Sequence, residues 1–302
     1  MNERDAYALA DILLKAGIQE IDILGGEPLL VPWIKDFAKY VTGLEITLNI
    51  STNGSLPEIL DEFTEIRSDI MNIGFSIHGF PETHNALTMA DNFSKAVAGL
   101  KRAIQGGKIP VVKSTLMREN KNEIYGLILY LKELGVKRYY LLHEDTIGRK
   151  KYSDFFSFPE FCEFYSKLRK DLKGILDIGF VAASGFYKYG IHGHARCDAG
   201  VTKIAIMPDG SAFPCNLFFS FHEFRLGNIF KDGIEKIWEN PVLDRFRKYE
   251  GNKCRIDTCN HFSSCTGGCP AHSYCYYGTL DPTDPRCKIR NSESLDKNLF
   301  LR

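Results

Sequence analysis

The spacing of the cysteines constrains this chain more than any other feature. Eight of the nine lie between Cys197 and Cys287, and only Cys162 lies outside. They read Cys197-x12-Gly210-x4-Cys215, then Cys254-x4-Cys259-x5-Cys265-x3-Cys269-x5-Cys275-x11-Cys287. Thiols this dense have three physical uses. Disulfide frameworks suit small secreted domains that lack a core. Here there are 302 residues, a large apolar region with one cysteine, and no basic-then-apolar segment at the start. Zinc sites usually pair cysteines tightly as Cys-x2-Cys, whereas the intervals from Cys254 to Cys275 are 4, 5, 3 and 5. Iron–sulfur clusters take four thiolates each, so eight cysteines are enough for two. Glycines and turn residues between them (Thr266-Gly267-Gly268, Tyr277-Gly278, Asp281-Pro282) let a backbone curl closely around such a cluster.

Composition narrows the classes further. Hydrophobic residues make up 44% and aromatics 12%, enough for a substantial core. Lys+Arg and Asp+Glu are both 38, so no basic excess points to nucleic acid. Charges and glycines interrupt every apolar run before it reaches the length of a membrane span. Many thiols without a secretion signal suggest a reducing, cytoplasmic setting.

Upstream of the cysteines, strand and helix patterns alternate. Helical periodicity over 1–15 is closed by Gly17 and followed by a strand at 20–24 and the loop Gly25-Gly26-Glu27-Pro28. A helix at 33–41 and a strand at 45–50 lead into Ser51-Thr52-Asn53-Gly54. A helix at 56–66 precedes a strand at 72–76 and the loop His78-Gly79. Helix 93–105, strand 109–116, helix 122–134, strand 139–143 and helix 160–172 complete the series. Five strands alternating with helices predict parallel βα units, whose chemistry collects after the strands. Residues 174–196 look irregular and are assigned to a linker.

Cys197, Gly210 and Cys215, then Cys254, Cys259, Cys265 and Cys269, and finally Cys287, resemble the SPASM pattern found after radical S-adenosylmethionine barrels. One interval departs from it: four residues rather than two separate Cys254 from Cys259. Met207-Pro208-Asp209-Gly210 and Leu226-Gly227-Asn228-Ile229 agree with the same family. Alone, Gly25-Gly26-Glu27-Pro28 is better explained by an ordinary strand-to-helix turn. Upstream of such a region it resembles the radical S-adenosylmethionine motif that contacts the methionyl amino group. Ser51-Thr52-Asn53-Gly54 and Ser76-Ile77-His78-Gly79 resemble the next two strand ends, many relatives having Asp at the position of His78.

The resemblance implies an α/β fold: a partial (β/α)6 TIM-like barrel lacking its first strand over 1–175, a linker over 176–194, and a small cysteine-rich SPASM domain over 195–302. It implies that Gly25, Gly26 and Glu27 hold S-adenosylmethionine, with Asn53 and Ser76 nearby. It implies two auxiliary [4Fe-4S] clusters. The first would use Cys197, Cys215 and Cys269, its fourth position open or taken by His192, His194 or Cys275. The second would use Cys254, Cys259, Cys265 and Cys287. Cys275 is alternatively a spare core thiol. Cys162 reads as a small buried hydrophobe, and His78, His84 and His143 as structural more readily than acid–base groups. The activity implied is a peptide- or protein-modifying maturase that makes a 5′-deoxyadenosyl radical, served by an external electron donor. Asn216 stands where sulfatase-maturing relatives carry an Asp, which counts against that subclass. A third [4Fe-4S] cluster would need a Cys-x3-Cys-x2-Cys loop, and no cysteine precedes Cys162. The sequence is therefore read as truncated at its N-terminus and, as written, unable to cleave S-adenosylmethionine reductively. The alternatives are a non-catalytic iron–sulfur protein for electron transfer or peptide binding, and a zinc-stabilised binding module.

Overall fold

The computed structural model describes residues 1–145, 147, 155–181, 197–247, 267–281 and 283–285. Cys254, Cys259, Cys265, Cys287, His192 and His194 lie outside these residues. Two compact units are formed: Glu3–His143 with Cys162–Val181, and Met1–Asn2 with Glu144–Phe161 and Ala182–Arg302.

The first unit is built on six parallel strands in strict chain order, β1 (Glu20–Ile23), β2 (Thr47–Thr52), β3 (Met71–Ser76), β4 (Val111–Leu116), β5 (Arg138–His143) and β6 (Asp177–Val181). Crossovers between parallel neighbours are right-handed. A sheet laid down in one direction therefore puts every connecting helix on the same face. Alternation along the strands agrees. Leu48, Ile50 and Thr52, Ile73 and Phe75, and Val112, Ser114 and Leu116 are buried on one face. Helices α2 (Ile34–Gly43), α4 (Phe93–Gln105) and α5 (Ile124–Glu133) bury matching apolar stripes, such as Ala96, Leu100 and Ala103 of α4. The opposite face carries Asn49, Ser51, Asn72, Ser76, Lys113 and Tyr140, all half-buried.

The sheet differs from the sequence reading in having six strands rather than five. Strand β6 lies in the stretch assigned to a linker. It is short and contains Gly179, so it shows little apolar pattern. The glycine has a packing role: a Cβ there would sit 2.4 Å from the Tyr140 ring, so only glycine lets that ring lie across the strand. The helix expected at 56–66 is a 3-10 helix, Pro57–Phe63. Its buried Pro57, Leu60 and Phe63 recur every third residue, the period of a 3-10 turn rather than an α-turn. Helix α3 (Pro81–Thr88) escapes sequence reading because only His84 of its residues is buried, leaving no apolar stripe. Helices α1 (Glu3–Lys15) and α6 (Phe158–Asp171) lie close to their expected bounds.

In the second unit an antiparallel sheet of β7 (Ala205–Ile206), β8 (Ser211–Phe213) and β9 (Gly227–Asn228) turns at Gly210, whose φ of +81° suits glycine. Asp209 accepts hydrogen bonds from the Ser211 amide (2.9 Å) and hydroxyl (2.8 Å), closing the turn. Behind the sheet is an aromatic cluster of Phe213, Phe218, Phe224 and Phe246. The Phe218 ring lies 4.4 Å from Phe224 and 5.3 Å from Phe246, centre to centre, within the range of favourable offset and edge contacts. A helix over Pro270–Tyr277 packs Ala271 and Tyr274 against it. Among the described residues, no helix is long and apolar enough to cross a membrane.

Candidate cofactor sites

Glu27 organises the strand ends of the first unit. Its Oε1 accepts from the Leu29 amide at 3.0 Å and the Thr52 hydroxyl at 2.6 Å, and its Oε2 accepts from the Asn53 amide at 2.7 Å. An ionised carboxylate has about four acceptor positions. Three protein donors therefore lock the group and leave one position, on Oε2, for a ligand. Thr52 links the two loops, since its Oγ1 also accepts from the Gly54 amide at 2.9 Å. Gly54 has φ +70°, and a Cβ there would come within 2.8 Å of the Ala96 backbone, so this loop lies flat against α4 only as glycine. Gly25 and Gly26 have φ of +80° and +42° with open space around them, an exposed backbone edge beside the carboxylate. Ser76 ends β3, in register with Lys113 of β4. Gly25, Gly26, Glu27 and Asn53 are thus gathered at adjoining strand ends, while Ser76 belongs to the next strand along. Thr52 is not among the residues the motifs point to; its one signal in the sequence is its place inside the Ser-Thr-Asn-Gly loop.

The histidines are held in fixed roles. His84 Nδ1 accepts from the His78 amide at 3.1 Å and its Nε2 lies 3.0 Å from Asn92 Oδ1. His78 Nδ1 accepts from the Thr115 amide at 3.1 Å, and Asn120 donates to the His78 carbonyl at 2.7 Å. These acceptor roles require both rings to be neutral. Burial, then the neighbouring His84, pushes His78 down from 6.5 to about 4; burial also lowers His84, against the hydrogen bond to Asn92. Below pH 6.5 the unfolded chain takes up protons that the folded rings refuse. Stability should therefore fall as the pH drops from 6.5 toward 4 and level off below that, by on the order of 3 kcal/mol for His78. Urea unfolding across this range checks the slope, and His78→Asn should flatten it.

In the second unit, Cys197, Cys215 and Cys269 meet at the aromatic cluster. Burial pushes the Cys215 thiol up to about 12, with Cys197 close enough to contribute. A thiol this reluctant to ionise becomes a ligand only when a cation compensates its charge. Among the described residues no three Cys, His, Asp or Glu side chains converge on a single metal ion. A four-iron cluster spreads its thiolates over separate irons, so three thiols lining one apolar pocket fit that group. Cys269 precedes the Pro270–Tyr277 helix, and its amide donates to buried Asp284 at 2.9 Å. Gly268, with φ +81°, sits so close that a Cβ would be 2.2 Å from that of Asp284. Fully buried His272 bridges toward Asp145 (Nε2 to Oδ1, 3.0 Å) and Asp284 (Nδ1 to Oδ1, 3.9 Å). Nothing local in the sequence pairs residues so far apart. Cys275 is exposed on the same helix, away from that pocket. Cys162 on α6 is part-buried, its thiol pushed up to about 11 by burial, as suits a small hydrophobe.

A locked carboxylate at the end of the first parallel strand and three thiols at one apolar pocket of the second unit fit a radical S-adenosylmethionine scaffold with an iron–sulfur accessory domain. Family models agree: residues 1–141 match the radical SAM superfamily and residues 197–266 match SPASM, an iron–sulfur cluster-binding domain. The chain belongs to the radical SAM enzymes that carry a SPASM domain. It is 26% identical over 312 residues to mycofactocin maturase MftC of Mycobacterium ulcerans (strain Agy99), covering 95% of this chain and 79% of that one. It is 26% identical over 273 residues to the antilisterial bacteriocin subtilosin biosynthesis protein AlbA of Bacillus subtilis (strain 168), covering 86% and 58%. An AdoMet-dependent heme synthase of Methanosarcina barkeri (strain Fusaro / DSM 804) matches at 26% over 313 residues, covering 95% and 87%. The fold is that of Streptococcus suis SuiB bound to S-adenosylmethionine, with TM-score 0.78 at 17% identity over 94% of this chain and 70% of that one. These domains imply S-adenosylmethionine and iron–sulfur clusters as cofactors.

Proposed function

We propose that this chain is a peptide- or protein-modifying radical S-adenosylmethionine enzyme of the SPASM type. The observation that carries the reading is the Glu27 carboxylate, locked by three protein donors with one acceptor position left. That arrangement suits the methionyl ammonium, with the Gly25-Gly26 edge lying along the ligand and Ser76 beside it. Bound there, S-adenosylmethionine together with a reduced cluster would supply a 5′-deoxyadenosyl radical able to take hydrogen from a substrate. Thr52 and the Asn53 amide keep the carboxylate oriented while the ammonium docks. The apolar strand face and its helices exclude water from beneath the site.

The thiolate loop that would hold the reducing cluster is not among these residues, the first cysteine being Cys162, so no step is assigned to it. Two auxiliary clusters are proposed. Cys197, Cys215 and Cys269 hold the first, and Cys254, Cys259, Cys265 and Cys287 the second. An external donor supplies electrons. A peptide substrate is supported by the names of two relatives, a maturase and a bacteriocin biosynthesis protein. The test is anaerobic co-expression of this chain, joined to a Cys-x3-Cys-x2-Cys loop able to hold the reducing cluster, with peptides encoded beside the gene, followed by mass spectrometry. The expected product is a peptide that has lost two hydrogens. Unmodified peptides from a protein that still binds S-adenosylmethionine would turn the reading toward a small-molecule substrate or a non-catalytic iron–sulfur protein.

A further inference from the structure

We propose that Asp284 holds down the reduction potential of the first auxiliary cluster and so keeps that site able to accept an electron from the substrate. The inference rests on the functional reading above and deepens it. Asp284 is fully buried. Its Oδ2 accepts from the Cys269 amide at 2.9 Å, so the carboxylate lies against one of the three residues whose thiols meet at the apolar pocket. The Asp284 amide donates back to the Gly267 carbonyl at 2.9 Å. Between them Gly268, at φ +81°, leaves no room for a Cβ, which would stand 2.2 Å from that of Asp284. Backbone and side chain of Asp284 are thus pressed into the turn that presents Cys269.

Geometry alone does not call for a charge at this place. Elsewhere in the same unit neutral side chains do the same anchoring. Asn228 Oδ1 accepts from the Phe230 amide at 3.1 Å, and Asn240 Oδ1 from the Val242 amide at 2.9 Å. Asp209 also anchors a turn, but it is exposed to solvent. Burying a carboxylate costs free energy that an asparagine or serine would avoid. The described basic side chain that faces Asp284 is His272, Nδ1 to Oδ1 at 3.9 Å, and its Nε2 lies 3.0 Å from Asp145 Oδ1. Among the described side chains two carboxylates therefore share one imidazole, which leaves the group net negative whether the ring is neutral or protonated. The field of Asp145 reaches as far as Cys215, where it adds to burial in keeping that thiol neutral.

A fixed negative charge in a buried setting opposes the arrival of an electron, and net charge is among the factors that set the potential of an iron–sulfur cluster. A substrate that loses two hydrogens gives one hydrogen atom to the 5′-deoxyadenosyl radical, then one proton to solvent and one electron to the first auxiliary cluster, as the new bond forms between the two atoms that lost them. That electron can be taken only where the external donor has not already filled the site. Asp284 keeps the site unfilled by making its reduction harder.

The test is an anaerobic potential titration of the reconstituted chain, followed by electron paramagnetic resonance, with iron counted in each variant. The reduction step of the first cluster is the one absent from Cys215→Ala. Asp284→Asn keeps an acceptor for the Cys269 amide and loses the charge, and Asp284→Ser does the same with a smaller side chain. Both should hold about eight irons and favour reduction of the first cluster at least tenfold, a rise of about 59 mV for one electron, with the second step unmoved. Glu235→Gln removes an equal charge from an exposed position of the same unit and should move neither step. A first step that stays in place in Asp284→Asn and Asp284→Ser, or that moves equally in Glu235→Gln, overturns the proposal while the functional reading stands. Loss of about four irons from both Asp284 variants also overturns it, and leaves Asp284 as an anchor of Cys269 alone. A reconstituted parent chain with no first step, or with zinc in place of iron, removes the functional reading and the proposal together.

Discussion

Glu27→Gln is expected to weaken S-adenosylmethionine binding by roughly ten- to a hundredfold, the worth of one hydrogen bond to a charged group. The replacement is almost isosteric, so packing should survive. Its effect comes from the donor count. Oε1 takes the Leu29 amide and the Thr52 hydroxyl, and Oε2 takes the Asn53 amide. A glutamine has one acceptor oxygen, so its NH2 group must face a donor wherever it points. If the oxygen stays with Leu29 and Thr52, the NH2 meets the Asn53 amide, and a ligand ammonium would meet it too. Both charge and the open acceptor position are lost. Thr52→Val removes one donor to the carboxylate and the acceptor of the Gly54 amide, but Glu27 keeps its charge, its open position and two of its three donors, so the loss of affinity should be smaller, about a few-fold. Calorimetric titration of both variants, with thermal melts as a check on folding, separates the two. An affinity for S-adenosylmethionine unchanged in Glu27→Gln would remove Glu27 from the site.

Cys215→Ala is expected to halve the iron taken up on anaerobic reconstitution, from about eight to about four atoms per chain, since each cubane holds four. Cys269→Ala should do the same. Both thiols face the pocket of Phe213, Phe218, Phe224 and Phe246 with Cys197 beside them, so removing either leaves a cluster with too few ligands. Cys275→Ala should keep the full complement, because that thiol is exposed on the helix whose N-terminal neighbour, Cys269, is buried. Iron analysis with absorption spectra of the three variants decides this. Iron lost in Cys275→Ala would make it the fourth ligand of the first cluster. A colourless protein holding zinc would end the cluster assignment altogether.

Elements with strong periodicity are legible in the sequence. The α4 stripe of Phe93, Ala96, Val97, Leu100 and Ala103 defines its helix over the very residues observed, Phe93–Gln105. The loops Gly25-Gly26-Glu27-Pro28 and Ser51-Thr52-Asn53-Gly54 can be placed at strand ends because alternation stops there and turn residues begin. Elements without such a pattern are not legible. Strand β6 spans five residues with a glycine at its centre, and α3 buries one side chain. The 3-10 turn at Pro57–Phe63 reads as helical but not as its type, since apolar residues three apart serve both until packing selects one.

By itself, the sequence determined the order of elements, the turn chemistry of the strand-end loops and the register of the cysteines. These follow from interactions between residues a few positions apart, where periodicity, glycine and proline act directly. Only the tertiary structure decided which distant groups meet. Glu27 closes on Thr52 and Asn53, 25 and 26 residues away. Lys113 reaches Ser51 across 62 residues, over a glycine on the strand between. His272 meets Asp145 across 127. Strand register and core packing set these pairings, and both sum many weak contacts over the whole fold, so no local stretch of sequence encodes them.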